Sequence, residues 1–372
     1  MINLSTPKLG FGLMRLPKTP SGAIDIEQTK EMVDLFLEAG QTYFDTAYVY
    51  DAGESEKAAG AALIARHPRE AFTLATKLNV HANGCTDAES AKKQLEISLD
   101  RTGAGYIDYY LLHAVGDGNI GTYDRYGIWD FVKEAKAKGL IRHWGFSFHG
   151  STGLLERLLT EHADAEFVQL QINYADWENQ NVASRINYET ARRHHKPIVV
   201  MEPVKGGFLA QPPERVARIL KSANPDASLP SWAIRYVASK EGILTVLSGM
   251  SNVAQMKDNL SYMKDFHPLT PQEEEAVEKA RLALQDVETI PCTACRYCTE
   301  GCPMQIPIPQ IFSARNLDLI WSSPERAKGR YQYSVKDHGK ASDCIACGQC
   351  ESVCPQHIGI IEALKTCAEQ YE

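Results

Sequence analysis

Of the ten cysteines in this chain, eight fall into two runs of identical spacing. Cys292, Cys295, Cys298 and Cys302 form C-x2-C-x2-C-x3-C before Pro303, and Cys344, Cys347, Cys350 and Cys354 repeat the pattern before Pro355. Thiolates are the ligands iron–sulfur clusters take, and the short spacers let one tight loop set three sulfurs around one cube. The fourth cysteine sits further on, where the following proline turns the chain away. Two [4Fe–4S] clusters are therefore expected. Disulfide frameworks belong to oxidising compartments and usually to short chains. Structural zinc takes closed sets of four with paired C-x2-C spacing, not two tandem runs of four ending in Cys-Pro. Cys85 and Cys367 lie outside the runs and read as small buried hydrophobes.

A second group of polar residues stands at the ends of apolar runs. Asp45 lies in YFDTA, Tyr50 follows five residues later, Lys77 ends FTLATK and His113 ends YIDYYLLH. A tyrosine alone is a poor acid, with a pKa of about 10. A nearby ammonium favours the phenolate and is expected to lower that value. Asp45 would pair with Lys77 and hold it, and His113 would hydrogen-bond a substrate oxygen. Such a set can protonate an alkoxide as hydride reaches a carbonyl carbon, or run the reverse. Singly, the four have plainer readings as a turn cap, a surface aromatic, a solvated strand end and a core histidine. Their recurrence at successive strand ends points to a site.

Elements must hold these residues together. Between about residues 8 and 285, short apolar runs alternate with longer amphipathic ones, as in an α/β protein. Strands are expected at Lys8–Gly12, Thr42–Thr46, Phe72–Lys77, Ile107–His113, His143–Ser147, Phe167–Ile172, Pro197–Glu202 and Ile243–Ser248. Thr86 to Glu89 reads as a capping box, Gly40 as a helix end, and Thr270-Pro271 with Glu273 as a helix start. Eight strands with helical crossovers predict a (β/α)8 TIM barrel, with an open doubly wound sheet as the alternative. Residues 287–291 read as a linker between domains at 1–286 and 287–372. The long segment between the cysteine runs, with helical patterns at Pro309–Trp321 and Ile358–Tyr371, predicts a small, mainly α-helical cluster domain.

FDTAYVY, GESE, LATK, RTGAGYIDYYLLH, GFSFHG and VQLQINY, in this order, resemble the aldo-keto reductase family over about residues 7–265. The whole chain resembles the branch of that family with a C-terminal ferredoxin-like domain. The resemblance implies the barrel and a nicotinamide-dependent interconversion of carbonyls and alcohols. It implies Tyr50 as acid/base, with Asp45, Lys77 and His113 completing a tetrad. It places Ser147 and Gln171 at the nicotinamide amide, and Lys205 with Gly206 and Gly207 at the pyrophosphate. Met201 falls where the family usually stacks an aromatic ring on the nicotinamide. SGMSNVAQMKDN resembles the phosphate and adenosine segment and offers Gly249, Ser251, Asn252, Gln255 and Asn259. Phe148 and His149 follow Ser147 where the family commonly has asparagine. Gln255 replaces a basic residue common in NADP-preferring members, so NAD and NADP both stand. The cysteine runs resemble those of two-cluster bacterial ferredoxins, in which the fourth cysteine ligates the other cluster. The implied sets are Cys292, Cys295, Cys298 with Cys354, and Cys344, Cys347, Cys350 with Cys302.

A net charge of -8 over 372 residues argues against a nucleic-acid partner. No apolar run is long enough to span a bilayer. The opening MINLSTPKLGFGLMRLP lacks a secretory pattern, and a reducing, cytoplasmic home is expected. The implied partners are a small carbonyl or alcohol and a redox protein. The latter follows from electron accounting, since hydride carries two electrons and each cluster accepts one. Two other readings follow from the same mismatch. One is a ferredoxin-dependent enzyme using flavin or single-electron chemistry in the barrel, and the other is an electron-transfer subunit.

Overall fold

The computed structural model describes residues 2–4, 6–180, 182–285, 289–290, 292, 297–321, 323–354 and 358–372, without the side chains of 285, 297 and 300. Cys295, Pro355 and most of the expected linker lie outside the described residues. The chain forms two compact units, Met1–Ala210 with Ala223–Val277, and Gln211–Ser222 with Glu278–Glu372.

The first unit is built on eight strands: β1 (Leu9–Gly12), β2 (Tyr43–Asp45), β3 (Thr73–Leu78), β4 (Ile107–Val115), β5 (Ile141–Phe148), β6 (Phe167–Gln171), β7 (Ile198–Met201) and β8 (Ile243–Ser248). They pair in parallel in chain order, and β8 closes on β1, which excludes the open sheet. Each strand is short and almost wholly buried, as a sheet covered on both faces requires. All eight expected strands are present within a few residues. The largest differences are at β4 and β5, which run on to Val115 and Phe148 through a register shift between Leu112 and Val115.

Helices α1 (Ile26–Glu38), α2 (Glu54–Ala59), α3 (Ala88–Thr102), α4 (Ile120–Arg125), α5 (Ile128–Ala137), α6 (Thr152–Glu161), α7 (Ser184–Arg193), α8 (Glu214–Ala223), α9 (Leu229–Ala238), α10 (Val253–Met263) and α11 (Pro271–Gln285) follow along the chain. Gly40, at φ 78°, ends α1 as expected. Thr270 and Glu273 cap α11 reciprocally, Thr270 N–H donating to Glu273 at 2.9 Å. The α3 box is one residue later than expected. Asp87 Oδ1 accepts from Ser90 N at 2.8 Å, and Ser90 Oγ accepts from Asp87 N at 3.1 Å. The aromatic stretch Tyr123–Trp129 packs inward. Tyr123 is fully buried, and the Trp129 ring stacks on His162 at 3.8 Å.

Tyr43, Ala75, Tyr109, Leu111, Phe167, Val199, Leu244 and Leu247 form a cluster apart from the main core. Most lie early in their strands and alternate with residues of the outer core, so they fill the N-terminal part of the barrel interior. That packing leaves the C-terminal strand ends to carry polar chemistry.

The second unit contains α12 (Tyr297–Glu300), α13 (Ile308–Trp321), α14 (Pro324–Val335), α15 (Gln349–Ser352) and α16 (Ile360–Tyr371), and is mainly helical as expected. Ile306, Ile308, Ile311, Phe312, Leu364 and Tyr371 are among its core. Helix α14 was not expected, because only Ala327 and Tyr331 of its residues are buried and its apolar signal is faint. Among the described residues, no helix is long and apolar enough to cross a membrane.

Candidate active site and cluster cysteines

Asp45 ends β2, Lys77 is the penultimate residue of β3, and His113 lies near the end of β4. Neighbouring parallel strands in register bring them together. Lys77 Nζ donates to Asp45 Oδ1 and to the carbonyl of Thr46, each at 2.6 Å. It stands 4.8 Å from the centre of the Tyr50 ring. The Tyr50 and His113 rings meet edge to face, 5.5 Å between centroids. The structure thus gathers all four residues.

Lys77 is fully buried. Burial works against its ammonium, but the charge of Asp45, with hydrogen bonds to Asp45 and Tyr50, outweighs it and holds its pKa above the usual lysine value. Tyr50 differs from expectation. Burial raises its phenol above the ordinary tyrosine value, and Asp45 and Glu202 add to this; Lys77 pulls the other way but does not win. Tyr50 is therefore a protonated phenol. Burial and the charge of Lys77, with His149 contributing, push His113 down to about 3. Its ring is neutral and keeps one N–H to donate. Its Nδ1 is buried without a hydrogen-bond partner among the described residues. The carbonyl of His113 accepts from the Tyr123 hydroxyl at 2.6 Å.

The expected cofactor residues also converge at strand ends. Ser147 Oγ accepts from Ala114 N at 2.7 Å, which leaves its own hydrogen free to donate. Gln171 ends β6 opposite Met201 at the end of β7. Met201 Sδ accepts from Gln169 Nε2 at 3.5 Å. Asp176, buried in the loop after β6, accepts from Gln171 Nε2 at 3.1 Å and Asn173 Nδ2 at 2.9 Å, and pairs with Lys205. One carboxylate therefore ties two expected cofactor residues from different loops. After β8, Asn252 caps α10 by accepting from Gln255 N at 2.9 Å. Gln255 Oε1 accepts from Ser251 N at 2.7 Å, and Asn259 Oδ1 from Ser248 Oγ at 2.7 Å. Gln255 thus closes the turn. Arg15, exposed after β1, makes no ion pair among the described residues. A Cβ on Gly206 or Gly249 would lie 3.7 or 3.5 Å from its side chain, so it flanks both loops.

Sequence reasoning missed Asp176, Tyr123 and Arg15. LGFGLMR offered a signal for Arg15, a cation directly after a strand. No local pattern marks the pairing of Asp176 with Lys205, which lies 29 residues along the chain.

In the second unit, Cys302, Cys344, Cys347 and Cys350 line one cavity with about 340 Å³ of empty volume, walled by Ile306, Ile308 and Leu364 among others. All four are thiols rather than disulfides. Among the described residues, no three His, Cys, Asp or Glu converge on a single ion. A cube with iron at four corners takes its sulfurs further apart than one ion does, and it favours a largely apolar lining, which these residues provide. Burial and the neighbouring Cys344 push the Cys350 thiol up, a situation that a cationic iron core reverses. Cys292, Cys298 and Cys354 border the same unit's core.

Comparison with known proteins agrees with both halves. The Aldo/keto reductase family matches residues 8–281, and a 4Fe-4S dicluster domain matches residues 291–358. An uncharacterized oxidoreductase of Bacillus subtilis is 24% identical over 288 residues, 69% of this chain and 87% of its own length. The L-galactose dehydrogenase of Arabidopsis thaliana is 24% identical over 307 residues, 77% of this chain and 93% of its own. Among solved structures, the holo form of an aldo-keto reductase from Bacillus halodurans aligns with a TM-score of 0.59 and 26% identity, covering 73% of this chain and 91% of that one. A Klebsiella pneumoniae aldo-keto reductase in complex with NADPH aligns at 0.58 and 21% identity, over 74% and 90% of the two chains, and shares the fold. This chain belongs to the aldo/keto reductase family, as an oxidoreductase of the branch that carries a C-terminal 4Fe-4S domain.

Proposed function

We propose that the barrel interconverts a carbonyl and an alcohol with a nicotinamide cofactor, while residues 287–372 hold two [4Fe–4S] clusters that exchange single electrons with a protein partner in the cytoplasm. The observation that carries the first half is the buried Lys77 ammonium, paired with Asp45 and close to the Tyr50 ring, with neutral His113 edge to face with the same ring.

A nicotinamide, when bound, would supply hydride to the carbonyl carbon. Tyr50 gives its phenolic proton to the carbonyl oxygen, so a C–H and an O–H bond form together. Lys77 stays charged beside the phenolate that remains and stabilises it, and Asp45 fixes Lys77. Neutral His113 donates its N–H to the same oxygen and orients it. Ser147 and Gln171 suit the carboxamide of the cofactor, and Met201 would offer its ring a polarizable sulfur. Arg15, Lys205 and the turn from Gly249 to Gln255, with Asn259 behind it, suit the phosphate end. NADP is favoured by the Arg15 cation, which makes no ion pair among the described residues and flanks the loops of Gly206 and Gly249. The cavity that gathers Cys302 with Cys344, Cys347 and Cys350 supports crossed ligation, with Cys292, Cys295, Cys298 and Cys354 holding the other cluster.

The test is made on anaerobically purified protein. NADPH or NADH should quench tryptophan emission, and an aldehyde should then be reduced. Tyr50→Phe should lower that turnover by about 10²–10⁴-fold with iron content unchanged. Unchanged turnover in this variant would reject Tyr50 as the proton donor.

A further inference from the structure

The three residues after Tyr50 take an unusual path. Asp51, Ala52 and Gly53 have φ of 51°, 55° and 94°, three left-handed residues in succession. Glycine adopts this region freely, but two non-glycine residues there persist only where their surroundings over-determine them. Arg101, at the C-terminal end of α3, supplies much of that constraint. Its Nη1 donates to the Tyr48 carbonyl at 3.0 Å and to Glu56 Oε2 at 2.9 Å. Its guanidinium also lies 4.4 Å from the centre of the Tyr48 ring. A Cβ on Gly53 would come within 2.5 Å of it, so this turn closes directly onto the guanidinium.

The hold extends to Lys77. Glu56 is fully buried, and its other oxygen accepts from Thr76 Oγ1 at 2.6 Å. Thr76 immediately precedes Lys77 on β3. Helix α2 is brought close to the same arginine at Gly60, where a Cβ would lie 2.9 Å from the Arg101 carbonyl. One guanidinium thus grips the chain at 48, 53 and 56, on both sides of Tyr50, and connects through Glu56 to the strand that carries Lys77. The exposed Lys18–Asp51 pair on the same turn is solvated and adds little.

We propose that Arg101 is a positioning residue for the reaction, holding the Tyr50 phenol against Lys77 through the Tyr48 carbonyl, the Gly53 turn and Glu56. The proposal rests on the reading of Tyr50 as proton donor. Two variants test it. Arg101→Lys keeps a cation for Glu56 but is shorter and lacks the planar guanidinium that lies on the Tyr48 ring and against Gly53. Gly53→Ala keeps Arg101 and pushes the turn off it. Each is assayed in the full chain for NADPH-driven reduction of 4-nitrobenzaldehyde across pH, for NADPH affinity and for thermal unfolding.

Misplacement of the phenol should lower kcat by about ten- to a hundredfold while NADPH affinity stays near wild type, and any fall in melting temperature, expected above all for Gly53→Ala, leaves the protein folded at the assay temperature. The alkaline limb of kcat should also move to higher pH, because a phenol further from Lys77 holds its proton more tightly. Folded variants with wild-type kcat and an unmoved limb would overturn the proposal. So would a loss of kcat that only tracks falling cofactor affinity and melting temperature. Tyr50→Phe separates the two levels. If it abolishes turnover while Arg101→Lys is normal, only the positioning role fails; if it leaves turnover intact, the proton-donor reading fails and takes this one with it.

Discussion

The barrel mouth and the cysteine cavity are assembled by opposite means. At the mouth, strands place the groups and the protein supplies the countercharges, so that Lys77 already lies between Asp45 and Tyr50. In the tail, Cys302, Cys344 and Cys347 stand on irregular chain, and they face apolar walls with no protein cation among the described residues that line the cavity. A site of the first kind is complete before any cofactor arrives. A site of the second kind needs its cluster, because thiolates gathered against apolar walls repel one another until iron neutralises them.

The sharpest way to break this contrast is to remove charge from the mouth. Lys77→Met should lower carbonyl turnover by about 10²–10³-fold, because the phenolate loses its cation. It should also destabilise the barrel by about 3–5 kcal/mol, since Asp45 is left buried and unpaired. Steady-state kinetics and urea unfolding check both numbers, and iron content should not change. The converse is anaerobic chelation of iron. It should abolish the unfolding transition of the tail while NADPH-driven turnover stays within about a factor of two. Loss of both together would show that the mouth is not self-sufficient.

A finer cut tests the two proposed clusters. Cys302→Ser should cost half the iron. The thiols that then become open to alkylation should be Cys344, Cys347 and Cys350, as mass spectrometry of labelled peptides can show. Cys354→Ser should instead expose Cys292, Cys295 and Cys298. Exposure of the cysteines within the mutated run would refute crossed ligation.

Much of this was legible in the sequence, and the reason is physical. A barrel strand is a short apolar run, and a polar residue at its C-terminal end has few places to go except the mouth. Asp45, Lys77 and His113 announced themselves in that way. The cysteine runs were legible because cluster geometry fixes their spacing. The network beneath was not. Asp176 meets Lys205 across 29 residues, and Arg101 meets Glu56 across 45. No local pattern encodes such partners. The expected lowering of the Tyr50 pKa failed for a related reason, since burial is set by the whole fold and here outweighs one neighbouring ammonium.

Smaller effects should follow that hidden layer. Asp176→Asn removes the carboxylate shared by Gln171 and Lys205 and should cost about 1–3 kcal/mol of stability, read from the urea midpoint. Turnover at saturating cofactor should fall much less than cofactor affinity. The pH dependence of barrel stability should carry the signature of His113, whose ring stays neutral down to about 3 when folded. The unfolded chain binds a proton at this position below about 6.5, so its contribution is present above that pH and is lost progressively as pH falls toward 3. Comparing urea midpoints of wild type and His113→Asn across this range isolates it. The phenol titrates at the other end, since Tyr50 is held above the usual tyrosine range. Reduction should therefore be flat through neutral pH and decline only in alkali.

The most direct measurement is a stoichiometric anaerobic turnover. Purified protein with its iron counted is mixed with one equivalent of NADPH and excess aldehyde while nicotinamide and cluster absorbance are followed together. The account predicts one alcohol formed per nicotinamide oxidised, with no bleaching of the clusters. Nicotinamide that neither binds nor is consumed, or clusters that bleach while no alcohol appears, would contradict it.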